Sequence, residues 1–172
     1  ANFDLKIKST RNKILGPEEF YVNAYYDAEE DQNNETPIEV VVHHNFDNEV
    51  IWDTAQTTEF LIQIFDATVH ELRHQQQSRH RGYQTYSDHA ITPFSKYLAD
   101  PDELDAYAFS IAVELLRVMP EHRAIRYMCK MSILSKFKTQ TNLASPNLRV
   151  YIKYFGKNPL IKKIAKKVYK HL

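Results

Sequence analysis

His70-Glu71-Leu72-Arg73-His74 puts two imidazoles and a carboxylate within five residues. On an α-helix a four-residue step is slightly more than one turn, so both imidazoles leave one face about 6 Å apart. That spacing lets one nitrogen from each ring reach a single Zn²⁺ at about 2.0–2.1 Å. Glu71, beside the pair, is placed to take a proton from a metal-bound water rather than to bind the metal. The neighbours Ile64, Phe65, Ala67, Val69 and Leu72 predict a buried helix. Two His and a Glu inside it would be costly to desolvate without a partner, and a metal ion is such a partner. The competing account is a chance pattern on a polar surface helix. The apolar flank, with no Pro or Gly in the helix, speaks against it.

The five residues His70–His74 resemble the active-site helix of the zincin metallopeptidases, and with the helix downstream the likeness covers about fifty residues. It implies a zinc-dependent peptide hydrolase with His70 and His74 as ligands and Glu71 as base and proton shuttle. A zincin site needs a third protein ligand and leaves a position for water. Three residues qualify. Glu103, 29 residues after His74, begins Glu103-Leu104-Asp105-Ala106-Tyr107-Ala108-Phe109 and resembles the gluzincin ligand on a second helix, with small Ala106 and Ala108 allowing close helix packing. His80 has the metzincin spacing, but Gln77 stands where that pattern has the Gly that turns the chain out of the helix. His89 resembles the widely spaced third His of the SprT-like group, without that group's neighbouring Trp and His-Gly. Glu103 is the preferred ligand, and its competing role is a helix-capping side chain. Tyr107, one turn beyond Glu103, and His89 are the candidate donors for a developing oxyanion.

The elements that must position these residues are legible in the pattern. Phe3–Lys8 alternates apolar and polar, Phe20–Tyr26 is aromatic and β-branched, and Pro37 opens the apolar run Ile38–His44. These segments predict three strands, taken as an antiparallel sheet, with Ile38–His44 as an edge that could hold an extended peptide. His43 and His44 should point to opposite faces of that strand. Asp27–Thr36 reads as a solvated loop. Asp53 and Gln56 form a capping box for a helix over Thr54–Ser78, and Gly82 breaks the helical pattern beyond it. Asp100-Pro101-Asp102-Glu103 starts a second helix running to about Val118. Further helices are expected over Glu121 to about Lys138, after Pro146, and from Pro159 to the C-terminus. The fold class is therefore α+β: a small N-terminal antiparallel sheet, then a helical bundle carrying the His-Glu-x-x-His helix.

The composition limits the function classes. At 172 residues with 43% apolar content, the chain has the size of one domain, 1–172, with a real core. One Cys, Cys129, leaves any metal to His and carboxylates. No apolar run approaches the ~18 residues of a membrane span, and the expected compartment is the cytoplasm. The zero net charge hides an asymmetry: Ile14–Leu72 holds 14 Asp and Glu and no Lys or Arg, and His122–Leu172 holds 13 Lys and Arg and no Asp or Glu. Mutual compensation of the two halves is one reading; a basic C-terminal surface for nucleic acid or an anionic surface is the less favoured one. The expected function is zinc-dependent hydrolysis of a peptide or protein substrate. The competing class is a non-catalytic binding or structural protein on a zincin-like scaffold, with a structural metal or none.

Overall fold

The computed structural model describes residues 4–17, 19–46, 52–84, 93–133, 144–156 and 158–172. It is a mixed α+β chain, with a three-stranded sheet near the N-terminus and helices thereafter. The backbone separates into two compact units, Ala1–Thr85 and Tyr86–Leu172.

The first unit holds β1 (Leu5–Arg11), β2 (Phe20–Tyr26), the short helix α1 (Ala28–Gln32), β3 (Ile38–His44) and α2 (Thr54–His80). The strand order is β1-β3-β2. β3 runs parallel to β1, with Leu5 opposite Ile38, and antiparallel to β2, with Phe20 opposite His44. The sheet is thus mixed rather than antiparallel throughout, and Ile38–His44 is its centre rather than an edge. The physical reason lies in composition. β3 carries Ile38, Val40, Val41 and Val42, all buried, whereas β1 (LKIKSTR) is exposed along almost its whole length. A charged strand tolerates the edge, and the apolar one gains most from two paired neighbours. Lys6 and Lys8 of β1 meet Glu39 on β3, Lys8 at 2.5 Å.

The expected loop at Asp27–Thr36 contains α1. Asp27 accepts hydrogen bonds from the backbone N–H groups of Glu29 and Glu30, which starts a helical turn inside a polar, acidic segment. α2 clusters with the sheet rather than with the later helices, packing on β2 and β3. An aromatic group of Phe20, Phe46, Trp52 and Phe60 joins its N-terminal end to the sheet. α2 is not buried all round. Thr68, Val69, Gln75 and Ser78 are buried, while Phe65 is 49% exposed and Leu61 is exposed too. A helix on one face of a small sheet needs only one covered stripe.

The second unit is helical: α3 (Phe94–Tyr97), α4 (Pro101–Val118), α5 (Glu121–Ile133), α6 (Pro146–Phe155) and α7 (Leu160–His171). α4 starts at its sequence signal, with Asp100 as cap and Pro101 at the first position. Its stripe of Leu104, Ala108, Ile111, Ala112 and Leu115 packs against Met128, Leu148, Tyr151, Ile161, Ile164 and Val168 from the other helices. Glu114, 2% exposed, lies within this core. It accepts from the Ser145 hydroxyl and from Asn147 Nδ2 at 2.7 Å, which fixes the start of α6.

Candidate metal centre

α2 carries the His-Glu-x-x-His residues on a continuous helix of 27 residues. The helix begins with the reciprocal capping box: Asp53 Oδ1 accepts from the Gln56 N–H at 2.7 Å, and Gln56 Oε1 accepts from the Asp53 N–H at 3.1 Å. It ends in a Schellman closure, with Tyr83 N–H donating to the Ser78 carbonyl and Gly82 N–H to that of Arg79. Gly82 sits at φ +65, the left-handed value this closure requires. With no break before Arg81, the helix carries straight on through His80.

His70 and His74 are half-buried on α2, and their Nε2 atoms stand 3.2 Å apart. Two imidazole nitrogens bound at about 2.0–2.1 Å with a tetrahedral angle would be about 3.3–3.4 Å apart. The pair therefore already has the separation of two ligands on one ion. His74 Nδ1 lies 3.0 Å from Gln77 Oε1. With the proton on Nδ1 this contact is a hydrogen bond that leaves the Nε2 lone pair for a metal, as in sites where a hydrogen bond orients the ligating ring. The step of about 100° per residue puts His70, His74 and Gln77 on one side of α2, away from Thr68 and Gln75.

Glu103, the preferred third ligand, belongs to the second unit, whereas His70 and His74 belong to the first. Glu103 is 4% exposed in the first turn of α4. It does not close a capping box, because the Asp100 N–H such a box would use donates to the Tyr97 carbonyl at 3.0 Å. Asp100 itself caps the helix, accepting from the Asp102 N–H at 2.8 Å. Two imidazoles and a carboxylate are a donor set suited to Zn²⁺, with a coordination position left over.

The other sequence candidates fall at different places in the chain. Glu71 is half-buried next to His70 on α2. His80 is exposed at the last position of α2. His89 lies outside the described residues. Tyr107 is partly buried in α4, edge-on to Tyr151 at 5.5 Å and near Tyr97 at 6.5 Å. His43 stacks on Tyr21 at 4.5 Å, while His44 Nδ1 accepts from the Phe46 N–H, so neighbouring histidines of β3 serve different local partners.

Two supports of the site are not evident from the sequence pattern. Gln77 registers there only as the absence of a Gly, although its position three residues after His74 is a one-turn spacing that could reveal it. The second is Asp31, 5% exposed, which anchors the C-terminal part of α2. It accepts from Arg79 Nε at 2.8 Å and Nη2 at 2.6 Å, from Gln75 Nε2 at 3.1 Å and from the Tyr26 hydroxyl at 3.1 Å. The Arg79 guanidinium holds the Asp31 carboxyl below its usual range. Burial, with the bond to Asp31, pushes the Tyr26 phenol up to about 12. No local pattern links residue 31 to residue 79.

No family model matches the chain, and no curated protein or solved structure matches it.

Proposed function

We propose that the chain is a zinc-dependent hydrolase, a metallopeptidase, in which His70, His74 and Glu103 hold one Zn²⁺ and Glu71 is the general base. The observation that carries this reading is the 3.2 Å approach of two imidazole nitrogens on a continuous His-Glu-x-x-His helix. When bound, zinc would supply a water of pKa lowered toward about 7 and a Lewis acid for a peptide carbonyl. The chain's own residues do the rest. Gln77 keeps the His74 ring oriented with its Nε2 lone pair available. Glu71 accepts the proton of the attacking water and returns it to the leaving amine. Tyr107, one turn after Glu103 on α4, is the candidate donor to the carbonyl oxygen as charge develops there. An uninterrupted α2 offers His80 no route back to the His70/His74 side.

The test is zinc stoichiometry followed by turnover on a peptide library. The purified chain should bind about one Zn²⁺, and joint His70→Ala and His74→Ala substitution should abolish binding. Glu71→Gln should keep the metal and lose hydrolysis by at least about 10²–10⁴, because the amide cannot take the proton. Stoichiometric zinc in the double variant would remove the site. Unchanged turnover in Glu71→Gln would remove the mechanism, and a metal-loaded chain without any hydrolysis would favour a structural zinc.

A further inference from the structure

One face of the second unit carries positive charge in rows. The apolar side of α7 (Ile161, Ile164, Ala165, Val168) is buried in the unit's core. Its outward side presents Lys162, Lys163, Lys166, Tyr169 and Lys170, all exposed. Lys162, Lys166 and Lys170 recur every four residues, so their side chains form a row with steps of about 6 Å. The neighbouring α5 exposes Arg126, Cys129 and Lys130. Between the two helices lies an open groove of about 490 Å³, lined by Met128, Cys129, Ala165, Lys166, Tyr169 and Lys170. Tyr169, 56% exposed, stands between Lys166 and Lys170 with its ring available in that groove. The carboxylate of α4 that reaches α7, Asp105, pairs with Lys167 and His171 rather than with the outward row. From His122 to Leu172 the sequence holds no Asp or Glu.

The geometry points to a binding site for single-stranded nucleic acid on the α5–α7 face, with phosphates along the lysine row and a base in the groove against Tyr169. Cationic side chains that track a backbone, together with an exposed aromatic ring on which a base stacks, are the two elements such sites combine. The apolar groove floor of Met128 and Ala165 suits the faces of a base. An anionic membrane is a poorer match, because a helix that lies in a bilayer surface must turn its apolar side outward. In α7 that side is already buried in the core. This site is independent of the metal centre.

The full chain is titrated into a fluorescein-labelled oligothymidylate, and anisotropy is followed across a salt series. Affinity should fall linearly on a log–log plot. Joint Lys166→Gln and Lys170→Gln substitution should flatten the slope by about 1.4, at roughly 0.7 per phosphate contact. Tyr169→Ala should weaken binding about 5- to 150-fold at fixed salt. All these positions are exposed, so the variants should melt like the parent. Cys129, the single Cys of the chain, supplies a second readout from within the groove. Its reaction with a thiol reagent should slow when the oligonucleotide is bound. The proposal is overturned if the parent fails to bind at low salt, or if the variants leave slope and affinity unchanged. It is equally overturned if the oligonucleotide leaves Cys129 as reactive as before, or if anionic phospholipid vesicles bind and the oligonucleotide cannot displace them.

Discussion

Gln77→Gly is the substitution that separates the two ways of completing the zinc site. It turns the segment His70–His80 into the full metzincin pattern, so a site built on His80 should gain from it. A site built on Glu103 should lose. The loss can be worked from the geometry. Gln77 Oε1 lies 3.0 Å from His74 Nδ1, and removing a ligand-orienting hydrogen bond typically costs 10–100-fold in metal affinity, about 1.4–2.7 kcal/mol. A Gly inside the helix costs about 1 kcal/mol more in stability, because position 77 lies within the continuous α2. Gln77→Ala isolates the first contribution, since it removes the amide while keeping helix propensity. Zinc affinity is measured by competition with a chromophoric chelator, and stability by urea titration with and without metal. Both variants should bind zinc about 10–100-fold more weakly, and only the Gly variant should also lose stability in the apo state. Equal or tighter zinc binding by Gln77→Gly, abolished by a further His80→Ala, would refute the reasoning and make His80 the ligand.

Two further outcomes test the supports of the fold. Asp31→Asn should destabilise the first unit by about 1.5–3 kcal/mol at neutral pH, as expected for lost hydrogen bonds to a charged group, with the half-exposed Arg79 favouring the lower end. Because folding lowers the Asp31 pKa, its stabilisation is full above the ordinary value of about 3.8 and is lost as pH falls through the folded-state value below it. Urea midpoints of parent and variant should therefore differ by a constant amount near neutrality and converge in acid; a constant gap down to the lowest pH would refute the assignment. Glu114→Leu should cost about 3 kcal/mol, because Ser145 and Asn147 lose a buried acceptor. Hydrogen exchange at the start of α6 should rise in that variant, and unchanged protection there would count against the capping role.

How far the sequence reaches differs between elements for physical reasons. The boundaries of α2 and α4 are readable almost to the residue, because Asp53 with Gln56, Gly82, and Asp100 with Pro101 act through bonds to backbone a few residues away. The closeness of His70 and His74 is readable for the same reason, being a property of one helical turn. The order and direction of the strands are not. All three have sound strand composition, but centre and edge are decided by competition among strands for pairing and cover. α1 is hidden because one Ala and four polar residues carry no apolar period, and a single Asp cap starts the turn.

The sequence by itself determined the α+β class, the starts and stops of α2 and α4, and the one-turn geometry of the two imidazoles, since each rests on interactions within about four residues. Tertiary structure decided that β3 lies between a parallel and an antiparallel neighbour, and that Asp31 reaches Gln75 and Arg79. Those pairings join residues separated by tens of positions, and chain closure over such lengths costs entropy that only the packing of the folded chain repays. No local pattern records which partner wins.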